Sequence, residues 1–189
     1  MKTDAFIQAC SAIDGLLATK EHLVVAIDGR CGAGKTTLAA ELQAHYGCTV
    51  ISTDHFFLRP EQRSAIRLAT PGENVDHERF LKEVLLPLKR GRPFAYRPFD
   101  CSRMELGLPV SVCPGKLTIV EGSYSCHRSL WDHYDLRIFL TVDRQEQLHR
   151  LMVRNGTYVG VFLEKWIPLE ERYFEAFDLE RRCELILTT

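Results

Sequence analysis

The sequence predicts an α/β fold of three layers, with a mainly parallel central sheet between helices, and three observations predict it. An apolar run, Leu23-Val24-Val25-Ala26-Ile27, has the composition of a parallel strand buried on both faces. It enters a glycine-rich loop, Gly29-Arg30-Cys31-Gly32-Ala33-Gly34-Lys35-Thr36-Thr37, which leads into a helical pattern marked by Leu38, Leu42 and Tyr46. Further short apolar runs then alternate with helical patterns, as parallel sheets with crossover helices require.

The loop fits the spacing of a glycine, four residues and Gly-Lys-Ser/Thr. Its glycines permit positive φ and close backbone approach, so successive N–H groups can turn inward around phosphate oxygens. The helix starting at Lys35 adds N-terminal donors and the positive end of its dipole. Gly29, Arg30, Cys31, Gly32, Ala33, Gly34, Lys35, Thr36 and Thr37 are therefore expected to hold ATP, with Lys35 at the β and γ phosphates and the Thr36 hydroxyl on Mg²⁺. Strand, loop and helix in this order specify a P-loop NTPase fold.

Residues 4 to 20 place Phe6, Ile7, Cys10, Ile13, Leu16 and Leu17 at helical intervals, an amphipathic helix for the edge of the sheet. After the loop helix, Gly47 is expected as a C-terminal cap, and Cys48 to Ser52 as a short strand ending in Ser52-Thr53-Asp54-His55. An acidic residue there stands where ligands bind in open α/β sheets. Asp54 is read as the group that binds the acceptor hydroxyl and takes its proton, and His55 as structural. Residues 59 to 72 are polar and carry Pro60 and Pro71, which suggests a mobile surface segment. Asp76 is a helix N-cap for the pattern Leu81, Val84, Leu85, Leu88, and also a candidate acceptor ligand.

Between 90 and 115, Pro93, Pro98, Pro109 and Pro114 punctuate short β-like pieces, an irregular hairpin inserted on the substrate side. Tyr96, Arg97 and Arg103 could form its aromatic and cationic wall. Lys116 to Glu121 is the next apolar strand, and its terminal Glu121 is assigned beside Thr36 as a Mg²⁺-facing acid. A strand over 135–142 precedes a helix begun by Asp143; Arg150 and Arg154 on it are read as arginines of a lid over 150–165 that stabilise the transferring charge. The remainder to 182 is helical, with Glu170-Glu171-Arg172 and Glu180-Arg181-Arg182 as solvated stripes, before a last strand over 184–188.

Residues 1–189 suit one domain. Lys plus Arg is 24 and Asp plus Glu 25, so no charge excess marks a nucleic-acid or membrane partner. Seven cysteines without a Cys-x-x-Cys pair argue against a disulfide framework or zinc site and for a reducing, cytoplasmic setting. The N-terminus lacks a leader pattern, and no run approaches the ~20 apolar residues of a membrane span. The expected partner is a small-molecule phosphoryl acceptor; a homo-oligomer is left open.

The glycine loop, Ser52-x-Asp54-x-Phe56-Phe57, Asn74-x-Asp76-His77, Val120-Glu121-Gly122 and the arginines of 150–154, in series, resemble the uridine kinase and phosphoribulokinase family of P-loop kinases. The resemblance implies that Asp54 is the catalytic base, Asp76 holds ribose hydroxyls, Glu121 is the Mg²⁺-associated acid, Tyr96 opens the substrate motif and Arg154 belongs to the lid. That motif here reads Tyr96-Arg97-Pro98-Phe99-Asp100-Cys101-Ser102-Arg103: Cys101 replaces the histidine that reads the pyrimidine, Arg97 an aspartate, and Asn155 the lid aspartate. The expected function is phosphoryl transfer from MgATP to a hydroxyl of a small metabolite, a nucleoside first. The alternatives are another small alcohol or phosphorylated metabolite, or a nucleotide-binding regulator without turnover.

Overall fold

The computed structural model describes residues 3–189; Met1 and Lys2, read above for a leader, lie outside the described residues. In chain order the framework is α1 (Asp4–Leu17), β1 (Leu23–Gly29), α2 (Lys35–Tyr46), β2 (Thr49–Ser52), α3 (Ala65–Ala69) and α4 (His77–Phe80), which runs through a π-helical turn into α5 (Leu86–Lys89). There follow β3 (Phe94–Tyr96), β4 (Phe99–Asp100), β5 (Glu105–Leu106), β6 (Val110–Val112), β7 (Leu117–Glu121), β8 (Leu136–Thr141), α6 (Arg144–Asn155), α7 (Val159–Val161), α8 (Ile167–Phe177), α9 (Leu179–Arg182) and β9 (Leu185–Thr188).

The central sheet runs β2-β7-β1-β8-β9 with every pairing parallel. Parallel pairing brings the strands' carboxyl ends to one edge: Ile27 and Ser52 both lie opposite Glu121, and Gly29 opposite Leu140. Both faces are covered, which explains the unbroken apolar composition of β1. On one face Val25, Ile27, Ile119 and Ile138 pack under α1 and α2; on the other Ala26, Val120 and Phe139 pack against Phe56, Phe80, Tyr173 and Phe174. Thr3 caps α1, whose buried side is Ala5, Phe6, Ala9 and Ile13; Ile7, counted on that side from the sequence, is 55% exposed.

The prolines of the insertion fall outside its ladders. β3 pairs antiparallel with β6, Tyr96 opposite Val110, and β4 with β5, Phe99 opposite Leu106. Residues 59–72, expected as a mobile surface segment, are mostly exposed and contain a 3₁₀ turn, Pro60–Gln62, and the short α3. Arginines hold them: Arg63 donates to the Leu58 carbonyl, and Arg67 to the carbonyls of Glu73 and Val75. The helical stretch after residue 160 divides at Asp178, whose φ is 51°, and Pro168 sits in the first turn of α8, where no amide donor is needed.

Candidate active site

At the end of β1 the backbone makes a cradle. Gly29 has φ 129°, and a Cβ there would stand 1.9 Å from the Leu140 carbonyl oxygen, so β8 admits only glycine at this position. Gly34, at φ 86°, is the N-cap of α2. The expected phosphate donors divide into two groups. The Gly29 amide donates to Asp28, Arg30 to the Leu140 carbonyl, Cys31 to Glu170 and Ala33 to the Arg30 carbonyl. Among the described residues, the amides of Gly32, Gly34, Lys35, Thr36 and Thr37 have no protein acceptor, and they converge on a helix N-terminus, an anion site by construction. The buried Lys35 ammonium donates to the Gly29 and Arg30 carbonyls at 2.6 and 3.1 Å.

Thr36 and Glu121 meet next to this cradle: the Thr36 hydroxyl donates to Glu121 Oε2 at 3.1 Å, and Glu121 is buried. A hydroxyl beside a carboxylate is a hard-oxygen donor pair that fits Mg²⁺. Gly122 must be glycine, because at φ 127° a Cβ would lie 2.3 Å from the Thr53 hydroxyl. This close approach sets β7 against the 3₁₀ turn Thr53–Phe56 that carries Asp54. The Asp54 side chain is exposed and stands beside Gly122, at the end of β7. Desolvation by the cleft walls, then the Glu121 charge and more weakly Glu170, raise its carboxyl to about 6 against the pull of Lys35 and Arg154.

Sequence reasoning missed four carboxylates that build the loop. Asp28, fully buried, accepts from the Gly29 and Cys126 amides and from the Tyr173 hydroxyl at 2.7–2.8 Å. Glu170 is not solvated but buried, bonded to the Cys31 amide and the Ser123 hydroxyl. Glu171 and Glu180 both pair with Arg30, so the expected solvated stripes are in these positions contacts to the phosphate loop. The signal for Glu170 was its spacing: with Tyr173 and Phe174 it shares the buried side of α8.

On the acceptor side, Asp76 is buried and caps α4 through the Arg79 amide, while its Oδ2 accepts from the Gln62 amide at 2.8 Å. Arg59 and Arg79 stand 3.8 and 3.6 Å from the same oxygen, and these groups line a hollow of about 470 Å³. Tyr96 is buried with its hydroxyl on His55 Nδ1 at 2.9 Å. Behind Asp76, His77 stacks on His127 at 4.0 Å, and burial, then His77 and Arg128, lowers His127 to about 3, so this pair is neutral packing at His127. Arg97 donates to the Leu106 and Gly107 carbonyls and thus braces the hairpin. Arg103 stands apart from the cluster, paired with Glu105 and 72% exposed. Cys101 lies within electrostatic reach of Asp54 and Arg63.

Arg150 and Arg154, expected as lid arginines, flank the loop. Arg150 donates to the Thr189 hydroxyl at 2.8 Å and the Gly32 carbonyl at 3.3 Å, and Arg154 lies over the Phe162 ring. Together with Gly32, Ala33, Gly34 and Thr37 they line a cleft of about 380 Å³.

No protein-family model matches the chain. A uridine kinase of Chlamydia pneumoniae is 26% identical over 174 residues, which are 81% of this chain and 76% of that protein. Among solved structures, a "possible uridine kinase" from Bacillus stearothermophilus superposes with a TM-score of 0.73 at 18% identity, covering 97% of both chains. D-glycerate 3-kinase of Cryptococcus neoformans superposes with a TM-score of 0.64 at 19% identity, over 90% of this chain and 88% of that one. The chain is thus similar in sequence to a uridine kinase and shares the three-layer α/β fold of these solved kinase structures.

Proposed function

We propose that the protein transfers the γ-phosphoryl group of ATP to a hydroxyl of a small metabolite, with a nucleoside as the first acceptor to test. The observation that carries this reading is the set of open amides of Gly32, Gly34, Lys35, Thr36 and Thr37, beside the Lys35 ammonium and the Thr36–Glu121 pair, with Asp54 close to Glu121 and Lys35. The amides and Lys35 would hold the triphosphate, and Arg150 and Arg154 would close its flank. Thr36 and Glu121 would hold Mg²⁺, which neutralises phosphate charge when bound. Asp54 would orient the acceptor hydroxyl and take its proton as the oxygen bonds to the γ phosphorus and the bond to ADP breaks. Asp76 and Tyr96 would shape the acceptor pocket. Catalysis of this kind is mostly positioning and electrostatics, which a nearly prebuilt cradle supplies.

Seven free cysteines suit a reducing cytoplasm, and among the described residues no helix is long and apolar enough to cross a membrane. One observation favours a second reading of the acceptor. Asp76 is already occupied by Gln62, and Cys101 stands where uridine kinases carry a histidine, so a different small alcohol, or ATP binding without metabolite turnover, competes with a nucleoside.

A coupled ADP-release assay across nucleosides, pantothenate-like alcohols, glycerate and sugar phosphates decides among these. ADP release with one acceptor class supports the kinase; ATP binding with no active acceptor supports the regulator. Asp54→Asn should retain ATP binding and lower turnover by ~10²–10⁴-fold, the range for a general base. Near-native turnover in that variant would remove Asp54 from the role.

A further inference from the structure

The helix behind the lid enters the transfer site through one carboxylate. Glu170 is 5% exposed, and both of its oxygens are used: Oε2 accepts from the Cys31 amide at 3.0 Å, and Oε1 from the Ser123 hydroxyl at 2.8 Å. The Ser123 carbonyl in turn accepts from the Thr53 hydroxyl at 3.1 Å, which also reaches the Glu121 carbonyl at 3.2 Å. Cys31 belongs to the phosphate loop, Ser123 follows Glu121, and Thr53 precedes Asp54. Glu170 therefore joins α8 to the ends of β1, β7 and β2.

Its neighbours on α8 reinforce the junction. Glu171 grips Arg30 of the loop with two bonds at 2.8 and 2.9 Å, and Tyr173 reaches Asp28 beneath it. A charge buried next to an incoming triphosphate is costly unless it is firmly hydrogen-bonded. Here the carboxylate also withholds the Cys31 amide from the nucleotide, which leaves the amides of Gly32, Gly34, Lys35, Thr36 and Thr37 for the phosphates.

We propose that Glu170 is a positioning residue for phosphoryl transfer, fixing the distance between the phosphate loop and the Glu121–Asp54 side of the cleft and passing the state of the loop to the lid through α8. This rests on the kinase reading above. The lid side carries its own reporter, since Trp166 immediately precedes α8 and the chain has only one other tryptophan, Trp131.

The experiment uses the full chain with Trp131→Phe as parent, and adds Glu170→Gln and Ser123→Ala. MgATP binding is measured by calorimetry, Trp166 emission at saturating MgATP, and ADP release with the best acceptor. The parent should show a Trp166 change on binding. Glu170→Gln should bind MgATP within about threefold of the parent, lose most of the Trp166 change, and turn over ~10²-fold more slowly with the acceptor KM unchanged. Ser123→Ala, which leaves the Cys31 bond in place, should show the same pattern at about tenfold, and it carries the test should Glu170→Gln not fold. Full turnover and a full Trp166 change in both variants would overturn the proposal. So would a turnover loss that merely tracks lost MgATP affinity, or a parent whose Trp166 does not respond. A parent that responds but phosphorylates no acceptor overturns the kinase reading instead, and the Trp166 comparison still decides the role of Glu170.

Discussion

The two walls of the cleft are made of different material. On the donor side the backbone provides the recognition: the amides of Gly32, Gly34, Lys35, Thr36 and Thr37 stay open, while Asp28, Leu140, Glu170 and the Arg30 carbonyl take the others. On the acceptor side the polar groups are side chains, and most are engaged with one another. Asp76 is shared among Gln62, Arg59 and Arg79, Tyr96 is turned to His55, and Arg97 is spent on hairpin carbonyls. A backbone cradle tolerates changes of side chain and grips any triphosphate. A side-chain wall changes its ligand when one member changes, because a buried polar group left unpaired costs more than the bond it replaced.

The largest effect that separates the walls comes from Lys35→Ala. It removes the ammonium from the donor side and should lower turnover by ~10³-fold or more, while the open amides keep measurable ATP binding by calorimetry. Complete loss of ATP binding in a folded variant would show that the lysine, not the backbone, makes the cradle.

The pH dependence comes next. Asp54 lies where the walls meet, and its carboxyl is raised to about 6 in the nucleotide-free protein by desolvation and then by Glu121. A base must be ionised to accept a proton, so protonation below that pH removes it, and turnover should fall roughly tenfold per pH unit on the acid side. Carboxyl NMR of Asp54 locates the midpoint directly, and Glu121→Gln should move it down, since a like charge has been removed. A midpoint near the ordinary 3.8 would mean that the cleft does not desolvate the base.

The donor wall was legible in the sequence because its determinants are local. The glycines, the lysine and the apolar strand before them are contiguous, and backbone sterics leave few other conformations for that order. The placement of Asp54 and Glu121 on one edge was legible for a related reason: Glu121 ends β7, Asp54 lies in the turn directly after β2, and parallel strands end on one edge. Glu170 was not legible, because its partners Cys31 and Ser123 are 139 and 47 residues away, and a Glu-Glu-Arg run on an amphipathic helix ordinarily faces water. Residues 59–72 were legible as a surface segment, but their arginine contacts were not, for the same cause. Their arginines bond to carbonyls of the adjacent loop, and nothing in local composition announces that.

Gln62 lies in that segment and offers the sharpest test of the acceptor wall. Its amide nitrogen donates to Asp76 and its oxygen accepts from the Arg59 amide at 3.0 Å. Gln62→Leu should raise the acceptor KM by about tenfold and leave the KM for ATP unchanged, the signature of lost acceptor binding rather than lost transition-state contact. An equal rise in both KM values would mean that the walls are mechanically one.

Arg103 should give the smallest effect. The substrate motif of the resembled family places an arginine here, yet in this chain its side chain is 72% exposed and its partner, Glu105, is 56% exposed. A surface pair of this kind contributes about 0–1 kcal/mol. Arg103→Ala should therefore change kcat and both KM values by less than about twofold in steady-state assays, with a melting temperature close to that of the unmodified chain. Cys101, two residues earlier, is within electrostatic reach of Asp54. An acceptor KM raised more than about fivefold would show that the hairpin moves when acceptor binds, and would transfer Arg103 from the outside of the acceptor wall to its inner face.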